Sequence, residues 1–501
     1  MPRKHLAILL LAFLLSVLVR APHIGRPLSF HHEYCTAMVL IFLHNWQDGG
    51  FHEHLGAPTW NFATEADRHV YPGSYAFATR DGYFYYLSFP PLAYYPPHVL
   101  FSLTGMELHQ TPLTWMNMAL HLLTLICLFQ TMRICLDRWQ PCEGIALVAA
   151  VLYLFMPASL WFHGNFYMSD IFIQPVWALH LLASVCLFLR PGPRRSGSFW
   201  AYGLTLGAAV YSYWLGLSIA AANVAALFLL RRDRAFRKQV LIVTAVAVLV
   251  PLLLFITQYA AVIGLEELGT YFWYRFQDRA TMDFWEGGIT YHINVLMDNY
   301  RIGWLPVLLL LGGCLLLQLL PGVSSGFKPN EGSKLYLLLT GLPFLLDHAV
   351  LLKHAGHDFA TLKSGFFLSG LTAMLLYHLP VGRSVWRRSI LVPAATIGTC
   401  MLGIVIFYRL NAVPGSGVDH DQRARWGRVI REAASPEEVV FALGWTPEPQ
   451  EQWYARRNLK EVRSMEEAKA FLTIRGIGSG VVFSRQDDRL EHQRIIIGDT
   501  E

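Results

Sequence analysis

The sequence predicts an α-helical multi-pass membrane protein of about eleven transmembrane helices, with a large first external loop and a small C-terminal α/β domain. Three observations carry this. Of 501 residues, 54% are hydrophobic and 15% charged, more apolar surface than one water-facing core buries. Apolar runs of spanning length recur along most of the chain. After residue 409 the composition turns polar, as in "DHDQRARWGRVIREAASPEEVVFAL".

The apolar runs cover about 5–20, 112–132, 143–163, 170–190, 199–213, 214–231, 238–258, 304–321, 334–352, 361–379 and 388–409. The first, in "MPRKHLAILLLAFLLSVLVR", starts like a signal peptide. No small-x-small cleavage site follows it, so it reads as a retained helix. The pair at 199–231 is open between one long helix and two short ones around "YSYWLG". A further apolar segment, Pro90 to Gly105, holds four prolines, each of which removes a helix hydrogen-bond donor. It reads as a re-entrant or interfacial helix.

Charge sidedness supports that choice. With eleven spans and a cytoplasmic N-terminus, the cytoplasmic loops are "MRICLDR", "RPGPRRSG", "RRDRAFRK", "GFKPNEGSK" and "GRSVWRR", all basic. Counting Pro90–Gly105 as a span would put three of them outside. Four segments then lie outside: 21–111 (the first external loop), 163–170, 259–303 and 353–363. The C-terminal domain, 410–501, is extracytoplasmic too, and 1–409 is the transmembrane domain. In 410–501, "EVVFAL" and "GVVFS" read as strands, and Ser464 followed by Glu467 reads as a capping box.

Several classes are excluded. The net charge of +5 comes without a basic stripe interleaved with aromatics, so no nucleic-acid partner is expected. The seven cysteines contain no CxxC pair, against a disulfide framework or zinc knuckle.

Charged side chains are costly at membrane depth, and the external segments gather nearly all of them. In "SFHHEYCTAMVL", Ser29 reads as the N-cap of a helix running to Trp46, with Gly49 or Gly50 in its left-handed cap. Glu33 then either complements the helix dipole or belongs to a site with His31 and His32. The same helix also suits the membrane surface. Asp170, in "FYMSD", either caps a span or joins that site. His354, His357 and Asp358 form an "HxxHD" group, read as an interfacial cluster or as ligands. Arg275 and Arg279 lie one turn apart if helical, as phosphate contacts or a solvated face. The run from Tyr83 to Pro97, which includes Tyr86, is an aromatic belt or one wall of a prenyl groove.

The layout of these motifs resembles the GT-C superfamily of polyprenyl-phosphate-sugar-dependent glycosyltransferases, in particular its bacterial protein-mannosyltransferase-like and aminoarabinose-transferase-like members. An acidic, helix-opening motif follows the first helix, "PPLAYYPPHVLFSLTG" follows in the same loop, "FYMSD" precedes the fourth span, and "HDFATLKSGFFLSGL" leads into the tenth. The resemblance covers most of the membrane region. It implies a plasma (inner) membrane enzyme, a polyprenyl-phosphate-linked sugar as donor, an extracytoplasmic lipid, glycan or protein as acceptor, and inverting transfer. The family's first-loop motif is Asp-Glu, and here the matching pair is His32-Glu33, so a histidine stands where the aspartate base belongs. The lysine often found before the paired prolines is replaced by Phe89. Glu33 with His32 beside it, or His32 itself, is the implied base, and Asp170 matches the second acidic position. His31, Tyr86, Arg275, Arg279, His354, His357 and Asp358 are implied substrate contacts. A divalent metal ion, with Glu33 and His357 as ligands, is the implied cofactor.

A transporter or flippase of lipid-linked saccharides fits the span count. Such proteins place ionisable groups within helices and often show internal repeats, neither of which is read here. A membrane sensor displaying the C-terminal domain needs no first-loop cluster.

Overall fold

The computed structural model describes residues 3–29, 31–62, 64–71, 78–80, 82–137, 142–189, 195–279, 288–319, 329–379, 385–410, 419–486 and 489–497. Parts of the basic loops (138, 190–194, 326–328 and 382–384) and residues 411–418, next to the domain boundary expected at 409/410, lie outside them.

The described residues of all eleven apolar runs are mainly helical, but the runs do not count equally as spans. Among the described residues seven helices are long and apolar enough to cross a bilayer: Arg3–His23, Gln110–Cys135, Ser169–Leu189, Arg234–Ile263, Gly288–Leu319, Asp358–Tyr377 and Ile390–Leu410. Cys142–Phe155 and Pro157–Asn165 make an eighth only if a 65° bend between them is allowed. Pro157 supplies no N–H at the break, and the ladder restarts there. Arg195–Val210 and Leu215–Leu230 are two helices of 16 residues each, shorter than the about 20 that a span requires. Glu331–Val350 holds Lys334 and Asp347. Length and composition thus give seven or eight spans among the described residues, which does not by itself establish the expected eleven.

Ionisable groups also enter the helix bundle, contrary to the sequence reading. Arg20 is buried with its Nη2 3.1 Å from His121 Nδ1, and the His121 ring stacks on His163 at 4.0 Å. His180 is buried against Asn223 and Ser184.

The first-loop helix runs Glu33–Asp48 and is buried on nearly every face from Cys35 to Leu43, so it is a core helix rather than one resting on the membrane surface. Its cap differs from the expected one. His32, at φ 58°, precedes the first helical residue, and Ser29 instead donates its N–H to Glu33 Oε2 at 2.9 Å. Gly50 holds a left-handed φ of 91° after the C-terminus, as expected of one of the two glycines. Pro90–Gly105 forms a turn, Pro91–Tyr94, and a helix of 10 residues, Tyr95–Thr104, too short to span.

The C-terminal residues form a four-stranded sheet in the order Leu459–Val462, Val439–Leu443, Ser479–Gln486, Arg489–Ile496. The first three strands are parallel and the last antiparallel; Phe441 pairs with Lys460 on one side and Val482 on the other. Helices Pro449–Ala455 and Met465–Arg475 make the crossovers that parallel strands require. Ser464 caps the second, accepting from Glu467 N at 3.2 Å.

This sheet unit is tied to the first loop. Buried Asp67 accepts from Arg457 Nε at 3.0 Å and Asn458 N at 2.9 Å, and Leu28 N donates to Tyr454 Oη at 2.7 Å.

Candidate active site

Helix Leu265–Arg279 places Arg275 and Arg279 one turn apart on one face. That face meets the start of helix Ser169–Leu189 and the turn Leu352–Ala355. Between them lies a cavity of about 250 Å³. Six of the residues singled out from the sequence line it: Tyr86, Asp170, Arg275, Arg279, His354 and His357. Segments expected outside the membrane thus converge although far apart in the chain.

The cavity is positively biased. Arg275, Arg279 and Lys353 face two carboxylates, Asp170 and Asp278. Asp278 is shared, accepting from Arg275 Nη1 at 2.9 Å and Lys353 Nζ at 3.0 Å. Asp170 is buried and, among the described residues, has no guanidinium on it; His354 Nε2 lies 3.3 Å from its Oδ1. Arg279 Nη1 donates to His354 Nδ1. Burial, with Arg279 beside it, holds the His354 imidazole well below its usual pKa, so it is neutral. His357 stacks on Phe359 at 5.0 Å, and burial together with Arg279 lowers its pKa to about 4. The Tyr86 phenol, fully buried, is pushed well up.

His31, His32 and Asp358 form a second cluster next door. His32 Nε2 is 2.9 Å from Asp358 Oδ1, and His31 Nε2 bonds the other oxygen. The His32 ring meets His357 at 6.1 Å and Phe359 at 5.2 Å, so it stands in the wall between this cluster and the cavity. A left-handed backbone is uncommon for histidine and points to a constraint at the turn. One ligand atom from each of the three lies within 4.8 Å of the others. Two imidazoles and a carboxylate suit a zinc-like ion.

Glu33 is not at either place. Arg26 grips it with two bonds, Nη2 to Oε1 at 2.7 Å and Nη1 to Oε2 at 3.0 Å, and both side chains are buried. Its carboxylate is thus engaged by a bidentate guanidinium and a backbone N–H, away from the cavity lining and from the His31, His32 and Asp358 group. Among the described residues the group whose geometry could hold a metal ion is His31, His32 and Asp358, rather than the expected pair Glu33 and His357.

The sequence reading missed Lys353, Asp278, Tyr213 and Lys363. The two lysines flank "HAGHDFATL" in an external segment, and Asp278 follows Arg275 by three, signals that were present. Tyr213 carried none.

A separate apolar groove of about 570 Å³ runs between helices Arg195–Val210 and Arg234–Ile263, lined by Trp200, Leu204, Val246, Val250 and Leu254 among others. Leu92 and Tyr211 close its end, and Leu92 N donates to Tyr211 O at 3.3 Å. Two residues on, Tyr213 Oη lies 2.6 Å from His354 Nε2 in the cavity wall.

No family model and no curated protein sequence matches the chain. Solved structures do. ArnT from Cupriavidus metallidurans bound to undecaprenyl phosphate aligns with a TM-score of 0.61 at 13% identity, over 98% of this chain and 97% of that one. The oligosaccharyltransferase of Archaeoglobus fulgidus in the apo form gives 0.62 at 13% identity, over 96% and 70%. The same enzyme in complex with zinc and sulfate gives 0.60 at 15%, over 95% and 68%. The chain therefore shares the fold of ArnT and of the oligosaccharyltransferase, the kind of fold that the resemblance in the sequence motifs implied.

Proposed function

We propose that this protein is an inverting membrane glycosyltransferase that moves a sugar from a polyprenyl-phosphate donor to an extracytoplasmic acceptor. The observation that carries it is the cavity in which Arg275, Arg279 and Lys353 face the carboxylate Asp170. An apolar groove lies nearby, with Tyr211 in its lining and, two residues on, Tyr213 bonded to His354 of the cavity. The solved relatives bound to undecaprenyl phosphate and to dolichol phosphate support the donor class.

In this reading the prenyl chain lies in the groove and the phosphate among the three cations. Asp170 takes the proton of an acceptor hydroxyl. The hydroxyl oxygen bonds the sugar's anomeric carbon while the bond from that carbon to the phosphate oxygen breaks. The electron pair goes to the phosphate, whose charge the guanidinium groups stabilise. His31, His32 and Asp358 would hold a divalent ion, which supplies positive charge beside the cavity. Eleven spans, a cytoplasmic N-terminus and an extracytoplasmic C-terminal domain belong to the same proposal, since they put every external segment on the site's side of the plasma membrane.

Mass spectrometry of envelope lipids and glycans tests it, comparing a deletion strain complemented with the parent gene or with Asp170→Asn. A sugar restored by the parent and missing with Asp170→Asn supports transfer. Lipid-linked saccharide accumulating on the cytoplasmic face overturns it in favour of a flippase.

A further inference from the structure

Behind the cavity, polar groups continue into the protein where no substrate reaches. Lys363, almost fully buried, places Nζ 2.5 Å from Asp347 Oδ2 and 3.0 Å from Tyr213 Oη. The Tyr213 ring is held by stacking on Phe89 at 4.7 Å, and its oxygen lies 2.6 Å from His354 Nε2. His354 Nε2 in turn lies 3.3 Å from Asp170 Oδ1. Five side chains thus form one connected chain that ends on the carboxylate facing the cavity.

Donor and acceptor capacities fix the direction of each bond. A guanidinium only donates, so the bond from Arg279 makes His354 Nδ1 an acceptor. The neutral imidazole then carries its proton on Nε2, shared between Tyr213 Oη and Asp170. An ammonium only donates as well, so Tyr213 Oη accepts from Lys363 and keeps its own proton. Asp347 balances the buried lysine charge, without which Lys363 would be too costly to keep.

We propose that Tyr213, Lys363 and Asp347 are a relay of positioning residues that fixes the direction of the His354 Nε2–H, whose tautomer Arg279 sets from Nδ1, and thereby aims Asp170 at the cavity. A purely structural ion pair would join helix Glu331–Val350 to the turn Asp358–Ser364 and leave the histidine indifferent to the tyrosine oxygen. The relay makes that oxygen decisive. The kinetic consequence rests on the glycosyltransferase reading; the direction of that N–H does not.

The test uses the full-length protein in nanodiscs with isotope-labelled histidine, the His354 ring nitrogens being identified by their loss in His354→Gln. At neutral pH the parent shows the Nε2-protonated tautomer. Tyr213→Phe, which keeps the ring against Phe89, keeps that tautomer but moves the Nε2 resonance away from its parent position because one of the two acceptors of that proton is gone, and Lys363→Met does the same while Lys363→Arg restores the parent spectrum. Transfer falls about tenfold or more in kcat in Tyr213→Phe, with the KM for donor changed less than about twofold. An unchanged His354 spectrum in folded Tyr213→Phe overturns the relay. A parent that transfers no sugar from any polyprenyl-phosphate donor overturns the glycosyltransferase reading, and the spectrum still decides the relay.

Discussion

His354 Nε2 and Asp170 Oδ1 lie 3.3 Å apart although 184 positions separate them in the chain. The contact joins the segment before the last two long helices to the start of a much earlier one. It also gives Asp170 a neutral hydrogen-bond partner in place of a counter-ion among the described residues.

Asp170→Asn keeps the side-chain size and removes the base. The rate of transfer should fall about 100-fold or more, while binding of undecaprenyl phosphate stays within about twofold. Loss of binding in step with rate would place Asp170 in phosphate recognition instead.

Arg279→Ala removes a charged donor from the phosphate region of the cavity. Its cost is about 1.5–3 kcal/mol in donor binding, or about ten- to hundredfold in Kd. Titration of undecaprenyl phosphate into the purified variant measures it, with Arg275→Ala in parallel.

Glu33→Gln should behave unlike Asp170→Asn. Its carboxylate is spent on Arg26, so the variant loses a buried ion pair and melts at lower temperature, by about 3 kcal/mol of stability. The folded fraction keeps its turnover. Normal melting with lost turnover would return Glu33 to the chemistry.

Metal analysis after purification without chelator should find about one zinc-like ion per chain in the parent. His32→Ala or Asp358→Ala should abolish it, because the donor set needs both. Glu33→Gln should leave the metal content unchanged.

Acid should weaken the fold through His354. In the native state its pKa is depressed by burial and Arg279, whereas the unfolded chain protonates near about 6.5. Unfolded chains therefore bind the extra proton first, and stability present above that value is lost as pH falls below it. Thermal melts at pH 7 and pH 5 should differ less in His354→Gln than in the parent.

The sequence by itself determined the membrane class, the helical runs, the short non-spanning segment at Pro90–Gly105 and the α/β character of the C-terminal residues. Each follows from local hydropathy, proline placement or capping, which act over one element. It also named six of the residues that line the cavity, because ionisable groups in a chain this apolar are few and gather in external segments. What only the tertiary structure decided is how those groups pair. Arg26, seven positions before Glu33, takes the carboxylate that the motif had marked as the base. His31 and His32 go to Asp358, and Tyr213, which has no charge to betray it, links Lys363 to His354. A carboxylate's role depends on which donor reaches it first, and that is set by distances between helices far apart in the chain rather than by the residues beside it.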